Sequence, residues 1–119
     1  MIHEFNPQIY PRLLWVCFKA TKEELESKFK FAGPIEDYWY KEGVTTSKCY
    51  DKETKLGGIL VWTGKSKISI NHIAHEATHV AENIFEYIGE EKKTDECFAY
   101  LVGWAAGCIE KAMKYKLQK

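Results

Sequence analysis

Neither sign of charge predominates in this sequence. Its 119 residues carry 17 Lys+Arg against 17 Asp+Glu, a formal net charge of zero at pH 7. That balance removes any global electrostatic reason to bind nucleic acid or an anionic membrane, and no charge-dense basic run supplies a local one. Long apolar runs are missing as well. The longest near the start, Leu13 to Phe18, is far too short to span a bilayer. It lacks a preceding basic region and a small-residue cleavage site, so no signal peptide is expected. The four cysteines (Cys17, Cys49, Cys97, Cys108) show no Cys-x-x-Cys spacing. Cys97 and Cys108 would lie about 16 Å apart along one helix, too far for a disulfide. Buried free thiols and a cytoplasmic setting are therefore expected. Repeats, low-complexity tracts and linkers are also lacking, which leaves residues 1–119 as a single domain.

What is present suffices for a folded, soluble core: 45% of residues are hydrophobic and 29% charged. Ile9 to Lys19 reads as a first strand, with Pro11 near its start. Thr21 to Glu24 has the capping-box pattern and opens a helix expected to reach Phe31, before Gly33-Pro34. Asp37 to Tyr40, Val44 to Tyr50, Gly58 to Thr63 and Lys67 to Ile70 read as further strands, GILVWT being the clearest. Thr94, Asp95 and Glu96 open a last helix reaching about Lys116. Its acids suit the helix dipole, and Gly103 and Gly107 suit close approach to a neighbour. Trp15, Trp39, Trp62 and Trp104 read as core.

The most informative stretch is His75-Glu76-Ala77-Thr78-His79. On a helix, a four-residue step is about 400° of rotation and about 6 Å of rise. His75 and His79 then share a face one turn apart, and both imidazoles can reach one Zn²⁺ at about 2.0–2.1 Å. Glu76, about 100° away, sits beside the ion, where a carboxylate can take a proton from metal-activated water. The flanks predict the helix. Ile70, Ile73, Ala77, Val80, Ala81, Ile84 and Ile88 form an apolar stripe, with His72, His75, His79, Glu82 and Glu86 roughly opposite. Ser69 or Asn71 can cap its start, and Gly89 suits the position just past its end.

A catalytic zinc usually takes three protein ligands, and the candidates for the third are His72, Glu82, Asp95 and Glu96. His72 and Glu82 each stand about 10.5 Å along the axis from one motif histidine, which suits supporting hydrogen bonds better than ligation. Asp95 and Glu96 both suit a helix start electrostatically. Glu96 lies on the glycine stripe of the last helix. A short connection over residues 89–93 makes the two helices antiparallel and sets Glu96 near the far end of the motif helix. Only an earlier end to that helix, or a chain that doubles back, brings Glu96 to the histidines.

HEATH followed by Glu96 resembles the gluzincin zinc peptidases, whose third ligand is a glutamate on a following helix. The small size is similar to the minigluzincins. HEATHVAENIF with DECFAYLVGW also looks like small uncharacterised phage-type and bacterial proteins with H-E-A-x-H and E-x-x-A-Y-L-x-G, here Glu96, Ala99, Tyr100, Leu101 and Gly103. The resemblance spans about residues 57–107. It implies a zincin-like α+β fold: a small twisted mixed sheet of four to five strands, a backing helix, the motif helix and a glutamate helix. It implies zinc on His75, His79 and Glu96, Glu76 as general base and then acid, and Tyr100 or His72 near an oxyanion. Gly58, Ile59, Leu60 and Val61 take the place of the cleft-side edge strand to which an extended peptide adds. The alternative there is a central strand buried on both faces.

The expected function is thus a zinc metallopeptidase acting on a peptide or protein substrate, with no nucleic-acid or membrane partner. Two other readings compete. One is a zinc-stabilised binding module without catalysis, favoured by the lack of the second subdomain that completes the cleft of larger gluzincins. The other is a metal-free interaction protein in which HEATH is coincidental.

Overall fold

The two strands richest in branched and aromatic side chains lie side by side at the centre of one sheet. The computed structural model describes residues 1–33, 43–91 and 96–115. In chain order it contains β1 (Ile2–Phe5), β2 (Leu13–Cys17), α1 (Lys22–Lys28), β3 (Phe29–Phe31), β4 (Val44–Asp51) and β5 (Gly57–Thr63), then α2 (Ile70–Ile88) and α3 (Glu96–Lys114). The sheet order is β1-β2-β5-β4-β3. β2 and β5 run parallel, from Leu13 opposite Gly58 to Cys17 opposite Trp62, and the other neighbouring pairs are antiparallel. The class is α+β with a mixed sheet, as the sequence leads one to expect.

Alternation along β2 and β5 feeds two cores. Leu14, Val16, Ile59 and Val61 pack with Ile73, Ala77, Val80 and Ile84 of α2 and with Leu101, Ala105 and Ile109 of α3. Trp15, Leu60 and Trp62 point the other way and pack with Leu25 of α1, Phe29 and Cys49. The buried indoles keep hydrogen bonds: Trp15 Nε1 donates to Glu4 Oε1 at 2.9 Å and Trp62 Nε1 to Ser47 Oγ at 3.2 Å. α2 and α3 run antiparallel, the ring of Phe85 lying 5.2 Å from that of Phe98 and the N–H of Ile68 reaching Met113 Sδ at 3.4 Å.

Several local expectations change. β5 is no edge strand: β2 and β4 pair with it on both sides, so Gly58, Ile59, Leu60 and Val61 offer no free backbone to a peptide. Gly58 has another use, because a Cβ there would lie 2.5 Å from both the carbonyl oxygen of Leu13 and the Trp15 ring. The start of the chain contributes a strand, β1, whose four residues IHEF show no apolar alternation and which pairs antiparallel with β2. The strand read as Ile9 to Lys19 contracts to Leu13–Cys17. The first helix stops at Lys28, and Phe29–Phe31 leave it to pair with β4. Lys67 to Ser69 is not a strand; Ser69 caps α2, its side chain accepting from the N–H of His72, and Gly89 ends the helix in the left-handed region with φ 72°. Gly103 and Gly107 face open space rather than a close neighbour. Cys97 is exposed, while the other three thiols are buried and free. The strand expected over Asp37 to Tyr40, Trp39, and the cap at Thr94 and Asp95 lie outside the described residues.

Candidate metal centre

α2 exists because its apolar stripe faces the sheet and α3, and that rotation decides where the motif points. His75 and His79 emerge on the solvent side, their side chains 65% and 48% exposed. Their Nε2 atoms stand 3.1 Å apart with rings nearly perpendicular, at 79°. Two bonds of about 2.0–2.1 Å meeting near the tetrahedral angle hold nitrogens about 3.3 Å apart, so the pair is spaced to share an ion or, without one, a proton. Glu82 supports this arrangement from the next turn, its Oε1 lying 3.1 Å from His79 Nδ1. A carboxylate at Nδ1 favours the tautomer whose Nε2 carries a free lone pair.

Glu76 turns inward. It is 5% exposed, and its Oε1 accepts a hydrogen bond from Thr46 Oγ1 of β4 at 2.7 Å. Its Oε2 lies 3.8 Å from His75 Nε2, beside the point on which the histidines converge. Thr46 has no signal in the one-dimensional pattern, since only the placement of β4 against α2 makes it a neighbour. Among the described residues no strand pairs with β4 at Val44–Lys48 on the side away from β5, because β3 covers only Cys49–Asp51. Among the described residues, the open edge beside the motif is thus on β4.

The remaining candidates fall elsewhere. Among the described residues no three His, Cys, Asp or Glu side chains converge as a metal site. α2 continues to Ile88, so the early ending that would admit Glu96 does not occur. With Phe98 against Phe85 and Met113 against Ile68, Gly103 and Gly107 fall level with His79 and His75, whereas Glu96 begins α3 beyond Phe85, exposed. His72 is engaged at the helix cap, its Nδ1 lying 3.4 Å from Ser69 Oγ, and Tyr100 is 75% exposed on α3. Asp95 lies outside the described residues. The buried cysteines offer no thiolate. Burial, aided by the Glu24 carboxylate, pushes Cys17 up to about 12, while burial pushes Cys49 to about 12 and Cys108 to about 11.

Comparison with known proteins finds no matching family model, curated protein or solved structure.

Proposed function

We propose that this chain is a zinc-dependent hydrolase of the zincin type that cleaves an amide bond in a peptide or protein. The observation that carries the reading is the His75–His79 pair, with Nε2 atoms 3.1 Å apart beside a buried, oriented Glu76. The residues that would hold the ion are His75 and His79, and a zinc bound there supplies Lewis acidity toward water and a carbonyl. Glu82 holds His79 in its tautomer. Glu76, fixed by Thr46, takes the proton from the attacking water and returns it to the leaving amine. Val44–Lys48 of β4, open along one side among the described residues, suits an extended peptide adding as a further strand. Glu96 enters as third ligand on the resemblance alone, and joining the histidines requires the first turn of α3 to shift along α2.

A second reading, a metal-holding module without catalysis, draws its support from the same two-histidine set. Among the described residues no helix is long and apolar enough to cross a membrane. A cytoplasmic setting is part of the proposal, supported by the free thiols.

The test is elemental analysis of protein purified without chelator or His tag. One zinc per chain, lost in His75→Ala and in His79→Ala, is expected. Retention of zinc by both variants removes the proposal. Glu96→Ala should weaken binding only if α3 supplies the third ligand, and an unaltered affinity returns the site to two histidines. Turnover of a peptide library by the zinc form separates the hydrolase from the module.

A further inference from the structure

At the other end of α2, we propose a second site that binds a small phosphorylated molecule of mononucleotide size. A pocket of about 730 Å³ opens there between β3, β4 and the last turn of α2, within the range of roughly 300–1,000 Å³ usual for small-molecule sites. Arg12, Lys30, Lys48 and Lys55 line it, and among the described residues no acidic side chain does. The four are scattered along the chain and meet only through the sheet. Lys30 is opposite Tyr50 in the β3–β4 ladder, and Lys48 is two residues before Tyr50, so all three share the face that carries α2. The helix leaves that corner uncovered, since Tyr50 remains 41% exposed.

Arg12 points to an anion in particular. Its guanidinium carbon lies 3.9 Å from the centre of the Tyr87 ring, a cation–π contact that anchors the side chain. Its Nε is shielded from water and has no acceptor among the described residues. Buried N–H donors are nearly always paired, and a ligand in the pocket that Arg12 lines would satisfy this one only if the guanidinium turned toward it. Lys48 is paired with exposed Glu86 at 2.9 Å, but Arg12, Lys30 and Lys55 have no carboxylate partner among the described residues. A cluster of cations of this kind matches a phosphate or diphosphate, and the guanidinium fork matches its oxygens. The exposed Tyr50 ring offers a flat surface to an attached base or sugar.

Isothermal titration calorimetry at low salt tests this with ADP, pyrophosphate and adenosine as separate arms. ADP and pyrophosphate should bind and adenosine should not; pyrophosphate matching ADP would place recognition in the phosphates alone. Arg12→Gln and Lys30→Gln should each weaken binding by about tenfold. Lys30 is exposed on an edge strand, so its variant remains informative if loss of the Arg12–Tyr87 contact harms folding. Lys67→Gln, an exposed lysine before α2, should change nothing, and His75→Ala should bind ADP like the parent. Three results overturn the proposal: no binding at millimolar ADP and pyrophosphate, equal binding in both pocket variants, or duplex DNA binding that ADP does not displace.

Discussion

Glu76 is held from two elements at once. Its backbone belongs to α2, while Thr46 of β4 donates to its Oε1 at 2.7 Å. The carboxylate therefore has one oxygen fixed and the other toward His75, the orientation a base beside a metal requires. Glu76→Gln preserves the shape and can still accept from Thr46, so zinc content should be unchanged while hydrolysis falls by about 10²–10⁴-fold. Single-turnover assays with metal analysis on the same samples check this, and unchanged turnover would remove Glu76 from the chemistry. Thr46→Val leaves a buried carboxylate without its donor and should cost about 1–3 kcal/mol in urea unfolding.

At the scale of elements, the glycines of the strands and of the last helix do opposite things. Gly58 in β5 lies under the Trp15 ring, and a methyl there would meet ring and backbone atoms at 2.5 Å. Gly58→Ala should destabilise by about 1–3 kcal/mol through overpacking. Gly103 and Gly107 in α3 have nothing within 4 Å of an added Cβ. Alanine at either should raise stability by up to about 1 kcal/mol, since glycine is the poorer helix former. Denaturant midpoints of the three variants would show the contrast, and a stabilised Gly58→Ala or a clearly destabilised Gly103→Ala would contradict the packing described. The sequence suggests otherwise, a peptide-binding edge for Gly58 and close approach to a neighbour for Gly103 and Gly107, because a glycine announces room without saying what fills it.

Over the whole molecule, stability in acid rests partly on Asp51, a buried carboxylate that ties α1 to the end of β4. Its Oδ2 lies 2.8 Å from Lys28 Nζ, and its Oδ1 accepts from the N–H groups of Glu53 and Thr54. The Lys28 hydrogen bond first, and the Thr54 N–H next, hold its pKa at about 2, below the ordinary 3.8. The folded value is the lower one, so the stabilisation is present above the ordinary value and is lost as pH falls toward about 2. The stability difference between the parent and Asp51→Asn should be largest near neutrality and shrink between about pH 4 and pH 2. A difference that stays constant over that range would mean the ion pair does not form.

Local pattern and composition by themselves determined α2 and its Gly89 end and most of α3, from their helical period, and β4 and β5, from their strand-forming residues, while the structure chose Ser69 over Asn71 as the cap of α2. Local pattern also determined the meeting of His75 with His79, because that geometry needs nothing beyond one helical turn. Pairing across the sheet could not be read in this way, since neighbours in a sheet are remote in sequence and hydrogen-bond through backbone common to all residues. Only the tertiary structure made β5 central and put Thr46 on Glu76. It likewise gathered Arg12, Lys30, Lys48 and Lys55 around one pocket. The place of Glu96 was decided the same way. An antiparallel helix pair with a short connection sets the start of the second helix against the end of the first, and α2 runs its full length before α3 begins.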